Sequence, residues 1–398
     1  MKKNNAIYAQ SGGPTAVINA TASGIVSVLK KNKFVNNLFI SINGILGIIN
    51  EKFINISKIK NKHVFLIQNT PGCAFGSCRY NLGNNIQDYF KIIYFFKKYN
   101  IKYFFYNGGN GSQKTTYRIS LVSKKLGYNL VCIGLPKTID NDLFFTDNSP
   151  GFGSVVRYIS SSIIESSLDL QSICVNSTKV FILEVMGRNT GWIALSANIS
   201  KYGCSFYVIL FPEIKFSIVR LIKKVRNIVK KYGFCYIILS EGVQIQLDKY
   251  LSKLITTGTI KKKKPALFIS EIIKRNLRLK CQYVIPGYLQ RSAYKLSSKI
   301  DLMQSYQIGK YAVKCAVSGK NSVMITVVRS CNYPYTWHLK YVFLIKVANQ
   351  EKKVPPYFIS QNGFESNKIC RNYLQPLIVN NNSIMFNNKT HQNYFILK

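Results

Sequence analysis

The residues Gly134-Leu-Pro-Lys-Thr-Ile-Asp-Asn-Asp142 continue from a short apolar run, Leu130–Leu135, in a chain of 398 residues. They hold two of the chain's 7 Asp, and a third, Asp147, follows shortly after them. An apolar run that ends in polar residues predicts a buried strand that opens into a loop. The Asp cluster has two interpretations at this point: Asp as a turn former, or a carboxylate placed for catalysis at the end of a strand.

The same strand-to-loop pattern recurs along the chain and predicts an α/β fold with parallel sheets. We predict strands at Ala6–Gln10, Lys102–Tyr106, Leu130–Leu135, Val180–Val185, Tyr207–Phe211, Tyr236–Leu239 and Gln282–Ile285. We predict helices at Thr15–Lys31, Gln113–Leu126, Thr190–Ile199, Pro265–Leu279 and Asp301–Val317. Ligands bind at the carboxyl ends of the strands in open parallel sheets, so the loops that follow these strands are the candidate site.

The formal net charge of +40 does not by itself indicate a nucleic-acid partner. The 44 Lys are spread over nearly every segment, and Lys261–Lys264 is the one dense block. Because Lys has largely displaced Arg, the 11 remaining Arg are informative. Arg grips phosphate bidentately, and for that reason we follow Arg79, Arg157, Arg188, Arg291 and Arg329. The 10 Cys lack paired spacing, which favours reduced thiols. With no signal peptide pattern and no long apolar run, we expect a cytoplasmic protein that binds no membrane.

Two Gly-rich turns, Ser11-Gly-Gly-Pro14 and Asn107-Gly-Gly-Asn-Gly-Ser112, each lie between a predicted strand and a predicted helix. Backbone N–H groups and a helix N-terminus form an anion site there, and two such turns favour phosphate binding over a purely structural role. None of the 3 His lies in these loops, so a general base has to be a carboxylate, and Asp140 is the candidate. Lys137 can neutralise charge on a transferring phosphoryl group.

Six motifs occur in an order and at separations that resemble the 6-phosphofructokinase superfamily, in particular its pyrophosphate-dependent branch. They are Gln10-Ser-Gly-Gly, Asn107-Gly-Gly, Pro136-Lys-Thr-Ile-Asp-Asn-Asp142, Glu184-Val-Met-Gly-Arg188, Ser240-Glu-Gly and Tyr288-Leu-Gln-Arg291. The resemblance extends over essentially the whole chain. It implies a phosphotransferase of glycolysis and gluconeogenesis that moves phosphate from a donor to the 1-hydroxyl of fructose 6-phosphate, giving fructose 1,6-bisphosphate.

The resemblance also implies an architecture. We expect two Rossmann-like three-layer domains with mostly parallel sheets, the active site in the cleft between them, and a C-terminal extension. The expected donor domain is residues 1–142 with about 250–300 returning to it, and the expected sugar-phosphate domain is residues 143–249 with about 301–330. Residues 331–398 are expected to be the extension. A homo-oligomer of two or four copies is implied as well.

The resemblance assigns a role to each matching residue. Asp140 would be the base and Lys137 would stabilise the transferring phosphate. The residues expected at the donor are Gly12, Arg79, Gly109, Asn110, Gly111 and Ser112. The residues expected at the sugar phosphate are Thr138, Ile139, Asp140, Met186, Gly187, Arg188, Glu241, Tyr288, Leu289, Gln290 and Arg291.

The donor loop departs from the family pattern at Asn110 and Gly111, where relatives carry at least one Asp. Without that carboxylate, Mg²⁺ would be held by Asn110, Asp142 and the substrate phosphates. Gly111 leaves room for the α-phosphate of ATP, whereas Lys137 is the residue of pyrophosphate enzymes. The sequence therefore favours pyrophosphate as donor, with an ATP-dependent 6-phosphofructokinase or a weakened, non-catalytic sugar-phosphate-binding subunit as alternatives.

Overall fold

The predicted strand before the Asp cluster is present as Val131–Pro136, and all of its side chains are buried. The computed structural model describes residues 4–31, 34–83, 85–200, 206–246, 264–378, 386–387 and 391–392. The chain forms two units. The first unit comprises residues 1–154 and 291–352, and the second comprises residues 155–290 and 353–398.

Strands β1 to β15 and helices α1 to α12 are numbered in chain order within the described residues. The strands are Asn4–Gln10, Val35–Ser41, Phe53–Asn55, Ile101–Gly108, Val131–Pro136, Val180–Val185, Tyr207–Leu210, Phe216–Ser217, Cys235–Ser240, Ile245–Gln246, Cys281–Val284, Val323–Asn332, Tyr335–Phe343, Phe386–Asn387 and His391–Gln392. The α-helices are Ile18–Leu29, Ile45–Ile49, Asn61–Gln68, Ile86–Lys98, Asn110–Lys125, Phe152–Ile173, Ile218–Tyr232, Pro265–Leu277, Leu289–Ser292, Lys299–Val317, Leu344–Val347 and Lys368–Ile378. Short 3₁₀ helices occur at Ala194–Asn198, Tyr294–Leu296 and Pro356–Phe358.

The first unit is built on a seven-stranded sheet in the order β13-β12-β5-β4-β1-β2-β3. The strands from β12 to β2 are parallel, and the two outermost strands, β13 and β3, are antiparallel to their neighbours. Parallel strands covered on both faces are continuous apolar runs, and β1, β4 and β5 fit this rule. Both Gly-rich turns and the Asp cluster therefore leave the same edge of the sheet, at the carboxyl ends of these three neighbouring strands.

The second unit is built on a four-stranded parallel sheet in the order β11-β6-β9-β7. Its strands end in Met186-Gly-Arg188 after β6 and in Glu241-Gly242 after β9. Two α/β units with mainly parallel sheets confirm the predicted fold class. Among the described residues, no helix combines the length and the apolar character that a membrane span needs.

The chain segments expected to cross back from one domain to the other differ from those in the structure. Residues 301–330 belong to the first unit: the helix Lys299–Val317 packs on α1, where Gly309 and Gly24 let the backbones approach so closely that a Cβ on Gly309 would lie 2.1 Å from Thr21 O. Asp301 accepts hydrogen bonds from Gly151 N (3.0 Å) and Ser154 N (2.9 Å). Residues 264–290 belong to the second unit, since β11 pairs with β6; residues 247–263 lie outside the described residues.

The segment expected to form an extension also differs. Residues 335–343 form β13, which completes the first unit's sheet as a hairpin with β12. Residues 353–378 pack in the second unit, where Phe358 and Phe364 are buried. The helix expected at Thr190–Ile199 is only a 3₁₀ helix, Ala194–Asn198. The other predicted strands and helices are present with ends that shift by a few residues.

Candidate active site

The turn after β1 is bound tightly to the end of β5. Lys137 Nζ donates to Gly13 O at 2.7 Å, and Lys137 N donates to Gly108 O at 3.2 Å. Gly12 has a φ of +77°, and a Cβ there would lie 3.2 Å from Lys137 Nζ. Only glycine combines this backbone conformation with so close an approach of the ammonium group. The two predicted donor-side motifs therefore form one cluster, with Lys137 at its centre.

Two guanidinium groups converge on the same turn. A Cβ on Gly13 would lie 2.5 Å from Arg291 Nη1 and 3.5 Å from Arg79 Nη2. The sequence analysis expects Arg79 at the donor, and the structure brings its guanidinium group close to Gly13. Arg291 lies in the first unit beside Arg79, so its expected contact with the sugar 6-phosphate stays a prediction. Together with Lys137, these groups give the turn three cations suited to phosphate oxygens.

A cavity of about 460 Å³ in the first unit contains all six residues predicted for the donor. It is lined by Ser11, Gly12, Cys78, Arg79, Tyr80, Asn81, Gly83, Tyr89, Tyr106, Gly109, Asn110, Gly111, Ser112, Lys114, Thr115 and Arg118. Gly109 lies directly before α5, whose first residue is Asn110, so the first free N–H groups of this helix face the anion site. Ser11 Oγ and Ser112 Oγ are hydrogen-bonded and join the two turns.

Burial makes the charge of Lys137 responsive to pH. Its side chain is 3 % exposed. Burial lowers the pKa of Lys137 from 10.5 to about 8, and the nearby Arg291 acts in the same direction, whereas Asp140 and Asp142 oppose it. A bound phosphate would favour the ammonium form, because an opposite charge at short range stabilises it.

The Asp cluster divides into three roles. Asp140 is half-buried, and its backbone N–H donates to Thr138 Oγ1 at 3.1 Å. Asp142 Oδ2 accepts from Asn110 Nδ2 at 2.9 Å, which joins the cluster to the donor loop. Asp147 pairs with Arg329, whose Nε lies 3.0 Å from Asp147 Oδ2, so Arg329 is a structural partner and not a phosphate ligand.

Asn110 and Asp142 have the oxygen atoms that a Mg²⁺ ion would need. Asn110 Oδ1 and Asp142 Oδ1 are buried and have no hydrogen-bond partner within the described part of the chain. Burial also raises the pKa of Asp142. Mg²⁺ prefers oxygen ligands and keeps several waters or phosphate oxygens, so two protein oxygens fit its chemistry.

Lys352 is a contributor that the sequence analysis missed. Its Nζ donates to Asn141 Oδ1 (3.1 Å), Thr146 O (2.9 Å) and Asp147 O (2.8 Å), and its backbone N–H donates to Asp142 O (2.8 Å). The side chain thereby holds the loop that carries the Asp cluster. No local pattern could have revealed it, because Lys352 is 211 residues from Asn141 in sequence.

Replacing Lys352 by Met should lower both stability and turnover. The loop carbonyls Thr146 O and Asp147 O would lose this donor, whereas Asn141 Oδ1 would keep its hydrogen bond from Ser149 N. An unsatisfied acceptor costs about 1–3 kcal/mol. We expect the free energy of unfolding to fall by about that amount and kcat to fall by roughly tenfold, because displaced catalytic groups lose transition-state contacts first. Urea unfolding and steady-state kinetics measure both. The neighbouring exposed residue gives a matched control, Lys353→Met; equal effects of the two variants would contradict a role for Lys352 in holding the loop.

The second unit has its own cavity, of about 450 Å³, with two cations and two carboxylates among its lining residues. It is lined by Glu184, Val185, Met186, Arg188, Glu241, Lys264, Pro265, Ile285, Gly287, Tyr288 and Gln290. Arg188 Nε lies 3.7 Å from Glu241 Oε1, with the Arg188 side chain 80 % exposed. An exposed pair of this kind adds little stability, which leaves the guanidinium available to a ligand phosphate.

The loops of this cavity are held by backbone contacts. Gly187 has a φ of +125°, and a Cβ there would lie 2.4 Å from Thr190 O, so the turn before Arg188 requires glycine. Gly242 N donates to Gly187 O at 3.2 Å, and Gln290 Oε1 accepts from Met186 N at 3.1 Å. The sugar-side motifs are thus brought together within the second unit, except for Arg291, which belongs to the first.

The remaining predicted residues lie as follows. Thr138 is half-buried, and Ile139 is buried beside it in the first unit. Leu289 is 64 % exposed, although Tyr288 and Gln290 line the second cavity. Glu184 accepts a hydrogen bond from Ala266 N at 2.9 Å, at the start of α8 (Pro265–Leu277), and so contributes to holding that helix. Lys264, Lys114 and Arg118 line the two cavities but were not predicted.

Comparisons with known proteins agree with this arrangement. A family model described as Phosphofructokinase matches residues 5–316. A protein named pyrophosphate–fructose 6-phosphate 1-phosphotransferase from Halomonas elongata is 41 % identical over 95 % of this chain and 92 % of its own length. One of the same name from Xanthomonas campestris is 40 % identical over the same shares. The crystal structure of a pyrophosphate-dependent phosphofructokinase from Nitrosospira multiformis superposes with a TM-score of 0.88, at 40 % identity, covering 100 % of this chain and 94 % of that one.

Proposed function

Because the chain belongs to the phosphofructokinase family, we propose that it is a pyrophosphate–fructose 6-phosphate 1-phosphotransferase. It transfers a phosphoryl group reversibly from pyrophosphate to the 1-hydroxyl of fructose 6-phosphate and yields fructose 1,6-bisphosphate and phosphate. Relatives at about 40 % identity over almost the whole chain carry this name. The first of the two cavities described above is lined by all six residues expected at the donor, and the second by five of the eleven expected at the sugar phosphate, among them Arg188.

The position of Lys137 is the main support for pyrophosphate as the donor. Its buried ammonium group lies against the Ser11–Gly13 turn, where the phosphates of the donor are expected. When pyrophosphate is the donor, the leaving group is a bare phosphate that gains a full charge. A fixed cation in a site of low polarity stabilises that charge more in the transition state than in the ground state.

Asp140 serves as the general base. As the sugar hydroxyl attacks the reacting phosphorus, Asp140 accepts its proton, and in the reverse direction it returns the proton to the sugar oxygen. Arg188 binds the sugar phosphate through its exposed guanidinium, and Glu241 accepts hydrogen bonds from sugar hydroxyls. Phosphoryl transfer asks the protein for little beyond such positioning and charge stabilisation.

Mg²⁺ is the proposed cofactor. Asn110 Oδ1 and Asp142 Oδ1 would hold it together with oxygens of pyrophosphate. When bound, it would supply positive charge that neutralises part of the negative charge of the phosphates. Because one ligand is a neutral amide, the pyrophosphate has to contribute most of the negative charge around the ion.

We further propose that the protein works in the cytoplasm as a homo-oligomer of two or four copies. The Cys residues of the described part of the chain are free thiols, which suits a reducing compartment. Light scattering on the purified protein measures the number of copies, and cell fractionation measures the location.

A donor assay tests the function directly. Purified protein with Mg²⁺ and fructose 6-phosphate should form fructose 1,6-bisphosphate when pyrophosphate is added, and much less when ATP is added. Turnover with ATP and none with pyrophosphate would assign the chain to the ATP-dependent enzymes. Binding of fructose 6-phosphate in calorimetry without turnover on either donor would identify a non-catalytic subunit.

A further inference from the structure

The donor cavity of the first unit extends beyond the turns that would hold pyrophosphate. It encloses about 460 Å³, and its lining runs from Gly12 and Gly111 to Lys114 and Arg118. A volume of this size is typical of pockets for ligands considerably larger than pyrophosphate. A pyrophosphate at the Ser11–Gly13 turn would therefore leave the part of the cavity near Lys114 and Arg118, called the far part below, free for a larger ligand.

The far part is reached along one face of α5, Asn110–Lys125. Gly111, Lys114 and Arg118 are spaced three and four residues apart, so they lie on the same side of the helix. With a rise of 1.5 Å per residue, Arg118 is about 10 Å further along the helix axis than Gly111. A pyrophosphate held at the helix N-terminus reaches the beginning of this row and not its end.

The charge in the far part is entirely positive. Among the described residues that line the cavity there is no carboxylate, while Arg79, Lys114 and Arg118 all contribute to the wall. Arg118 Nη1 donates to Gly83 O, which fixes its position, and a guanidinium has further N–H donors for a ligand. At Gly111 the wall is open, because a Cβ there would meet no atom within 4 Å. An elongated, multiply charged anion fits this surface.

We infer that the cavity also accepts linear inorganic polyphosphate of three or more phosphates as phosphoryl donor, with Lys114 and Arg118 binding phosphates that do not react. This inference rests on the proposed function, since Asp140 and Lys137 act on the terminal phosphoryl group in the same way. A row of point charges suits a flexible polyphosphate chain, because each phosphate along it meets a cation.

The reaction balances with tripolyphosphate as the simplest case. The bond between the terminal phosphorus and its bridging oxygen breaks, and a bond forms between that phosphorus and the sugar 1-oxygen. The sugar hydroxyl proton passes to Asp140, and the bonding electrons stay on the bridging oxygen of the departing pyrophosphate. Fructose 6-phosphate and tripolyphosphate therefore give fructose 1,6-bisphosphate and pyrophosphate, with no oxidation or reduction.

The test uses the full chain with tripolyphosphate, Mg²⁺ and fructose 6-phosphate in the presence of an inorganic pyrophosphatase. The pyrophosphatase removes contaminating and released pyrophosphate, so any sustained formation of fructose 1,6-bisphosphate comes from tripolyphosphate itself. We expect sustained turnover. No turnover with tripolyphosphate, alongside turnover with pyrophosphate in a parallel reaction without pyrophosphatase, overturns the inference and leaves the proposed function intact. No turnover with either donor overturns the proposed function.

Two variants test whether turnover with tripolyphosphate depends on the cations of the far part, Lys114 and Arg118. Lys114→Gln and Arg118→Gln should each lower kcat/KM for tripolyphosphate by about tenfold or more, the value of one lost charge-assisted hydrogen bond. Their kcat/KM for pyrophosphate should stay close to that of the unmodified chain. The exposed Lys125 on the same helix gives the matched control Lys125→Gln. The assignment of these two residues is overturned if the variants lose activity equally with both donors, or if they lose no activity with tripolyphosphate. A reaction with ATP as fast as that with tripolyphosphate would indicate a nucleotide ligand and overturn the choice of inorganic polyphosphate.

Discussion

Replacing Asp140 by Asn is expected to lower kcat by about 10²–10⁴-fold, the usual contribution of a general base. The amide has nearly the same shape as the carboxylate but cannot accept the proton of the sugar hydroxyl as the new bond to phosphorus forms. KM values for pyrophosphate and fructose 6-phosphate should change little, because the lost interaction exists only in the transition state. Steady-state kinetics in both directions measure the effect, and kcat for the reverse reaction should fall in parallel.

The control for this variant is Asp169→Asn, which makes the same chemical change at an exposed position of α6. Asp169→Asn should keep full activity. If Asp140→Asn lost less than about tenfold in kcat, or lost activity through KM alone, Asp140 would not be the base. Since Asp140 is half-buried in a loop, its replacement should leave the thermal midpoint close to that of the unmodified chain.

Replacing Lys137 by Met is expected to lower kcat/KM for pyrophosphate by about 10²–10³-fold, as for the loss of one group that stabilises developing charge. Met has a similar length and no charge, so the site keeps its volume and loses the cation. KM for fructose 6-phosphate should change less than the pyrophosphate parameters. Lys125→Met on α5, at an exposed position, is the matched control and should behave like the unmodified chain.

The stability of the Lys137→Met variant separates a catalytic role from a structural one. The pKa of Lys137 is about 8 in the folded chain, compared with 10.5 for a lysine exposed to water, as in the unfolded chain. The folded state therefore binds this proton less strongly than the unfolded state. The buried charge therefore lowers the free energy of unfolding at neutral pH, and this destabilisation decreases as the pH rises from 8 towards 10.5. At pH 7 the thermal midpoint of Lys137→Met should match or exceed that of the unmodified chain. A marked fall in the midpoint would mean that the activity loss reflects unfolding.

The rate should also report the protonation of Lys137. Because kcat/KM reflects ionisations of the free enzyme, kcat/KM for pyrophosphate should fall above a pH of about 8, where Lys137 loses its charge. The Lys137→Met variant should lack the part of this alkaline fall that exceeds the titration of pyrophosphate itself. A pH profile with the same alkaline limb in both proteins would assign the limb to another group.

Local patterns in the sequence were sufficient for the parallel strands and for naming candidate site residues at their ends. A strand buried on both faces has to be an unbroken apolar run, and β1, β5 and β6 are visible for that reason. The residues that close each strand are also local in sequence, so Gly12, Lys137 and Asp140 could be named from their motifs. Their meeting at one edge of the sheet follows from the parallel pairing of β1, β4 and β5.

Pairings over long sequence distances were beyond local patterns. Which strand lies beside β5 depends on the fit of whole faces. Strand β12 takes that place, and its Val323 pairs with Ile133, which lies 190 residues earlier in the chain. No local pattern encodes such a pairing. The segments expected to cross between the domains were wrong for the same reason. The helix Lys299–Val317 packs against α1 through the close contact of Gly24 and Gly309, which are far apart in sequence.

The sequence by itself determined the α/β class and the Gly-rich turns, and it named Asp140 and Lys137 as candidate site residues, because each of these features is recognised from neighbours within about ten residues. The tertiary structure alone decided that Lys352 holds the Asp loop, that Arg329 neutralises Asp147, and that Arg291 joins Arg79 at Gly13. A buried charge or acceptor has to find its partner in space, whatever the distance along the chain. Only the fold brings such partners together.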